Sequence, residues 1–323
     1  MYINMDESNK IKEVLDKSKN ILIAVHKDPD GDAIGSGLGL YNALIKLGYN
    51  VDCIIKNPSK CFDFLKNFNK IKLDENELKE KYDTLIVLDC ADKERIALNR
   101  ELDDFTNIIV IDHHITHVEF GSITLLEEIS PATCQIVYDF LKTINVDIDK
   151  EIAECIYTGI LTDTGGFKYS NVTSHTFEIA KEIREMDVDI SDITRRVFET
   201  MSFNKFSLLK LGLNNLEIID EKIAYLYLSK EQIDKYISED EPDIHEGLVN
   251  YGRSIEGVEV SIFIRQIDEN IFKISLRSNA YVDVSKIAVE FSGGGHIRAA
   301  GGRAEGNIED IKEKVLNIVK ERI

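Results

Sequence analysis

The chain has no tryptophan and only four prolines in 323 residues. It is also short of positive charge, with 39 lysines and arginines against 58 aspartates and glutamates and a formal net charge of −19. Long single strands and duplexes favour basic, aromatic-lined grooves, so long duplex DNA is not an expected partner. An anionic substrate would have to find its attraction locally, from metals and a few arginines. A small substrate is the easier one to serve that way.

No stretch approaches the roughly 18–20 consecutive apolar residues of a membrane span, and no membrane partner is expected. Residues 1–20 are polar and rich in charge of both signs, and they lack the apolar core of a signal peptide. Cys53, Cys61, Cys90, Cys134 and Cys155 are odd in number and form no Cys-x-x-Cys pair. They read as reduced thiols, which excludes a disulfide or zinc framework and points to a cytoplasmic protein. The sequence leaves oligomeric state open, a homodimer included.

What is present is a βαβ alternation. Residues 21–25, 51–55, 85–88 and 108–111 are short, apolar and rich in branched side chains, as strands buried on both faces of a parallel sheet are. Residues 33–47 carry a helix face through Ile34, Leu38, Tyr41, Leu44 and Ile45, with Gly48 placed to stop it. Residues 131–141 and 152–161 read as further helices, and 174–213 is almost wholly helical. Strand signals return at 223–228, 258–264 and 271–276, with Asp268-Glu269-Asn270 as a hairpin turn. A short helix at 284–291, a glycine loop at 292–295 and an amphipathic helix at 308–323 follow. The expected fold is α/β in two lobes. The first has a mainly parallel sheet flanked by helices, and a helical linker leads to a smaller C-terminal α/β lobe.

In open α/β sheets, ligands bind outside the carboxyl ends of the strands. His26 closes the first strand here, and Asp30 and Asp32 follow on a turn shaped by Pro29 and Gly31. Asp89 closes the third strand, where a carboxylate can bridge two ions. His113 closes the fourth, and Asp163 arrives from a later helix end. Six such groups suit two divalent metal ions that activate a water. Mixed imidazole and carboxylate ligation favours Mn2+ over Mg2+. Asp112 is expected to support the loop or an imidazole, and His114 to contact phosphate or protonate the leaving oxygen. Asp92 and Asp187 read as caps or turns. Asp28 is either a ligand or a loop anchor. His117, His175 and His245 read as surface or packing histidines.

In the second lobe, Gly293, Gly294 and Gly295 would let backbone approach a ligand closely, and amides at a helix start would bind an anion. Arg277, Ser278, His296 and Arg298 add a guanidinium fork and an imidazole for phosphate or base. The patch reads as a substrate-binding site. Arg298 has the alternative of pairing with a nearby carboxylate.

The segments HKDPDGDAIGS (26–36), LDCAD (88–92), DHH (112–114) and TGILTDTGGF (158–167) resemble the motifs of the DHH phosphoesterase superfamily. The run RSNAYVDVSKIAVEFSGGGHIRAAGG (277–302) is similar to its DHHA1 domain. The likeness is greatest to compact nanoRNases that also dephosphorylate 3'-phosphoadenosine 5'-phosphate (PAP). It implies a DHH domain over 1–188, a linker over 189–213 and a DHHA1 domain over 214–323. It implies one metal at His26, Asp30 and Asp89, and a second at Asp32, Asp89, His113 and Asp163. Catalysis would involve Asp89, Asp112 and His114, and substrate would be gripped by Arg277 and the loop Gly293 to His296. The implied activity is hydrolysis of short oligoribonucleotides to mononucleotides and dephosphorylation of PAP. A cyclic di-AMP or pApA phosphodiesterase is the near alternative, and a nucleotide-sensing binding protein without turnover the distant one.

Overall fold

A computed structural model describes residues 3–238, 244–245 and 247–323. The chain divides into two compact units, Met1–Thr200 and Met201–Ile323.

The first unit runs α1 (Met5–Lys17), β1 (Ile21–Ala24), α2 (Gly31–Lys46), β2 (Val51–Ile54), β3 (Thr84–Leu88), β4 (Asn107–Asp112) and β5 (Ile123–Leu126). It continues through α3 (Thr133–Thr143), α4 (Lys150–Asp163), α5 (Ser174–Glu185) and α6 (Ile190–Thr194). The sheet order is β2-β1-β3-β4-β5, and every pairing is parallel. All residues of β1 and β3 are buried, as expected of strands covered on both faces. β5 was not expected. Only Leu125 is buried in it, and a strand whose other positions are half exposed leaves too weak an apolar signal.

Helix α2 starts two residues earlier than its apolar spacing predicts, because Asp30 caps it by accepting from the amides of Asp32 and Ala33. Every residue of α2 from Gly31 to Leu44 is buried. Glycines let it be covered on two sides at once. A Cβ on Gly35 would lie 2.6 Å from the Cys155 carbonyl oxygen, whereas one on Gly37 would face Ile55 and Val25 of the sheet side. The backbone of α2 thus sits directly against α4, which fixes where Asp32 and Asp163 stand.

The second unit runs α7 (Phe203–Asn214), β6 (Glu217–Ile219), β7 (Ile223–Leu228), α8 (Lys230–Asp234), α9 (Leu248–Arg253), β8 (Val260–Asp268) and β9 (Ile271–Ser278). It ends with α10 (Val284–Val289), β10 (Gly294–His296), β11 (Ala299–Glu305) and α11 (Ile308–Lys320). Its mixed sheet has the order β10-β11-β9-β8-β7-β6, with only β7 and β8 parallel. The stretch expected as a linker is divided between the units, α6 falling in the first and α7 in the second. No helix among the described residues is long and apolar enough to cross a membrane.

The glycine loop differs from its sequence reading. Residues 294–296 form an edge strand paired antiparallel with 299–301, leaving a two-residue turn at Ile297 and Arg298. The glycines follow α10 instead of opening a helix, so amides of a helix start cannot supply an anion site there. A Cβ on Gly293 would lie 2.0 Å from the Gly301 carbonyl oxygen, and this close approach is what requires glycine. None of the five cysteines forms a disulfide among the described residues, and only Cys61 of the five is exposed.

Candidate metal centre and basic pocket

Parallel strands place their carboxyl ends on one edge, and the acidic and histidine segments of the first unit meet there. His26 Nε2 stands 3.5 Å from Asp89 Oδ2 and 3.9 Å from Asp30 Oδ1. His113 Nε2 stands 3.5 Å from Asp89 Oδ1, 3.6 Å from Asp163 Oδ2 and 3.9 Å from Asp32 Oδ2. Three groups each bring their ligand atoms within 4.8 Å of one another: His26/Asp30/Asp89, Asp32/His113/Asp163 and Asp89/His113/His114. All six residues read from the sequence as ligands are brought together, and Asp89 lies between the two imidazoles. Asp28 is exposed and belongs to none of these groups. Asp92 accepts from the Glu94 amide at 2.9 Å, as the cap reading expects.

The cluster consists of acceptors facing acceptors. The Nδ1 of His113 lies 3.2 Å from the Ser130 carbonyl oxygen. A carbonyl only accepts, so Nδ1 donates and Nε2 turns a bare lone pair toward three carboxylates. Such a set needs cations among its members. The polypeptide alone can supply only protons. Burial and the neighbouring Asp89 push the Asp32 carboxyl up to about 7. Burial, with the charges of Asp32 and Asp30, pushes Asp163 up to about 9. Burial opposes charge on His113, but contact with Asp89 and the charges of Asp32 and Asp163 lift it to about 10. For Asp89, burial again opposes the charged form, yet the two imidazoles hold it below the usual carboxylate range. These residues fit one or two hard divalent cations bound by oxygen and imidazole.

Several supporting residues escaped the sequence reading. Asp32 accepts from the amides of Thr133 at 2.6 Å and Cys134 at 2.9 Å, which open α3. The α3 cap position is Ala132, whose side chain cannot accept, so a carboxylate from another element satisfies those donors. A helix start lacking a capping side chain was the available signal. Thr133 Oγ1 donates to Asp89 Oδ1 at 3.1 Å. Asp89 itself has φ +55°, a left-handed conformation uncommon for a non-glycine residue. Asp112 is fully buried and accepts from His114 Nδ1 at 2.7 Å, from the His113 amide at 2.9 Å and from His117 Nδ1 at 2.8 Å. The sequence reading of His117 as a surface or packing histidine is therefore corrected, since its ring holds Asp112.

The second unit holds a pocket of about 440 Å³ whose lining includes Arg265, Lys273, Arg277, His245, Gly294 and Gly301. Strand alternation builds it. Phe272, Ile274 and Leu276 of β9 face the core shared with α11, while Lys273, Ser275 and Arg277 line the pocket. Arg265 of β8 pairs directly with Lys273. Of the expected substrate residues, Arg277 and Gly294 line this pocket, while Gly293, Gly295 and His296 lie in or beside β10, His296 being exposed. Ser278 is buried, and Arg298 donates to its Oγ at 3.4 Å and to the Val282 carbonyl at 2.9 Å, which ties the turn to the sheet. Arg265, Lys273 and His245 were missed. The i, i+2, i+4 spacing of Lys273, Ser275 and Arg277 on one strand was the signal for Lys273, whereas Arg265 is brought in from the neighbouring strand by register alone. His245 is pushed down to about 4, by burial first and then by Arg265 and Lys273, which marks the pocket as positive.

A parallel sheet with an acidic and imidazole cluster at its carboxyl edge, joined in one chain to a cationic pocket, is the layout of a hydrolase acting on phosphoester bonds. The chain belongs to the DHH family. Its residues 20–160 match the DHH family N-terminal domain, and residues 220–321 match the DHHA1 domain. The bifunctional oligoribonuclease and PAP phosphatase NrnA of Thermus thermophilus is 34% identical over 304 residues, covering 94% of this chain and 90% of that protein. An exopolyphosphatase-related protein from Bacteroides fragilis has a crystal structure similar to this one, with TM-score 0.87 and 32% identity over 99% of this chain and 98% of that one. RecJ of Thermus thermophilus in complex with Mn2+ shares the fold at TM-score 0.54 and 14% identity, covering 98% of this chain and 54% of that one.

Proposed function

We propose that the chain hydrolyses short oligoribonucleotides to mononucleotides and removes phosphate from PAP, using two divalent metal ions, Mn2+ first among them. The observation that carries this reading is the convergence of carboxylates and a bare imidazole lone pair around Asp89. The name of the Thermus thermophilus relative supplies the substrate class. His26, Asp30 and Asp89 would hold one ion, and Asp32, Asp89, His113 and Asp163 the other. Such ions, when bound, ease deprotonation of water and neutralise charge gathering on phosphorus.

The protein's own groups do the rest. The carbonyl of Ser130 holds His113 with Nε2 toward the site. Asp112 holds Nδ1 of His114, so Nε2 is the atom left to give a proton to the leaving oxygen. In the second unit, Arg277, Lys273 and Arg265 provide fixed positive charge for a nucleotide phosphate, and Gly294 and Gly301 admit it against backbone. A pocket of about 440 Å³ has room for a mononucleotide unit.

The test is a competition in one reaction among short RNA of two to five nucleotides, PAP, pApA and cyclic di-AMP, with Mn2+. Release of mononucleotides from short RNA and of phosphate from PAP is expected to dominate. Consumption of cyclic di-AMP or pApA alone, with longer RNA and PAP left intact, or nucleotide binding without any product, would overturn the assignment.

A further inference from the structure

His117 takes no part in the ligand cluster, yet it is one of the most enclosed polar side chains in the first unit, with 3% of its side-chain surface exposed. Its ring packs against Phe120, with centroids 5.6 Å apart, and its amide donates to the His114 carbonyl at 3.1 Å. Nδ1 reaches Asp112 Oδ2 at 2.8 Å, while Nε2 is buried and has no hydrogen-bond partner among the described residues. A carboxylate accepts, so Nδ1 carries the proton and Nε2 is a bare acceptor.

Asp112 is fully buried at the end of β4. One oxygen, Oδ1, serves both the His113 amide and His114 Nδ1. The other, Oδ2, has His117 as its donor. Removing that donor would leave a buried carboxylate oxygen unsatisfied and the carboxylate free to turn about its Cβ–Cγ bond. Oδ1 would then no longer be fixed toward His114. The His114–Asp112–His117 chain therefore transmits geometry from a buried anchor to the imidazole at the site.

We propose that His117 is a positioning residue for phosphoester hydrolysis: by clamping Oδ2 of Asp112 it fixes the imidazole of His114 for proton transfer to the leaving oxygen. This rests on the reading of His114 given above. In that step, the water oxygen bonds to phosphorus as the P–O bond to the 3'-oxygen of the departing nucleotide breaks. The departing oxygen takes a proton from His114, and the proton that water loses passes to solvent, from which His114 is reprotonated.

The structure suggests an unusually clean substitution. His117→Phe keeps the ring and its packing on Phe120. It loses nothing at Nε2, which is unpaired, so only the donor to Asp112 disappears. His117→Asn does the reverse, since its amide N–H stands where Nδ1–H stood. Two substrates separate positioning from mere structure. The 3'-oxygen of the AMP leaving from pApA needs a proton, whereas p-nitrophenolate leaving from the p-nitrophenyl ester of adenosine 5'-phosphate does not.

For His117→Phe, kcat on pApA should fall by roughly 10–100-fold, the usual cost of losing such a supporting partner, with KM within about twofold of wild type. The nitrophenyl ester should lose no more than about threefold, which also shows that the variant is folded, and His117→Asn should recover most of the pApA turnover. Should Phe not fit, His117→Leu gives the same comparison. Equal losses on both substrates, with no recovery in His117→Asn, would reduce His117 to a packing residue and overturn the proposal. If wild type turns over neither substrate, the reading of His114 fails first and takes the proposal with it.

Discussion

Asp89 stands between two histidines, about 3.5 Å from each, in a left-handed backbone conformation. Its amide is held by the Ile111 carbonyl at 3.1 Å, so the strain is imposed by the sheet that presents it. Around it, Asp32, Asp163 and His113 all titrate above their usual values. Such groups bind more protons folded than unfolded. Metal-free stability therefore falls as pH rises from the unfolded values, 3.8 for the carboxyls and 6.5 for the imidazole, toward about 7, 9 and 10. Asp89 shifts the other way, but its window lies below 3.8. Melting temperature after chelation should thus decline between pH 6 and pH 9, and Mn2+ should raise it more at the upper end. Calorimetric titration of Mn2+ in two buffers of different ionisation enthalpy should show proton release. A pH-independent melting temperature and no proton release would contradict the electrostatics described. By the same reasoning, Asp163→Asn should raise the melting temperature of the chelated protein while abolishing hydrolysis, a trade of stability against activity.

Elements decide which of these side chains meet. Strands β1, β3 and β4 were legible because burial on both faces leaves an unbroken apolar run in each, and β2 because only the half-buried Asp52 interrupts its own. The ligands were legible because each follows such a strand or, for Asp163, ends helix α4, which packs against α2. The hairpin of β10 and β11 was not, since glycine and alanine carry almost no strand preference and pairing with β9 overrides it. The clamp on Asp112 was equally hidden. Nothing in the spacing from Asp112 to His117 says that a turn brings the ring back onto the carboxylate. The glycines of α2 have a testable consequence. Gly35→Ala would press a methyl group to within 2.6 Å of the Cys155 carbonyl oxygen, against backbone that cannot move aside cheaply. The expected cost is about 1–3 kcal/mol in denaturant unfolding, with a larger relative loss of activity because Asp32 and Asp163 lie on the two helices involved. Unchanged stability would mean that α2 and α4 are less closely packed than described.

Over the whole molecule, a net charge of −19 makes its few cationic surfaces informative. Arg265, Lys273 and Arg277 converge on one pocket in an otherwise acidic chain. Substituting Lys273 or Arg277 with Ala should raise KM for short RNA and PAP by about tenfold, in line with losing one charge-assisted phosphate contact, and leave Mn2+ affinity as in wild type. Raising the ionic strength should weaken wild type more than either variant. Equal KM values in all three would remove the pocket from substrate recognition.

The most direct measurement takes wild type and Asp89→Asn, strips both with chelator, and follows pApA cleavage before and after Mn2+ is restored. Wild type should be inactive when stripped and recover with Mn2+, and Asp89→Asn should stay at least about 100-fold lower, beyond the loss expected from an outer supporting group. Full turnover by the stripped wild type, or by Asp89→Asn, would contradict a metal centre built on Asp89.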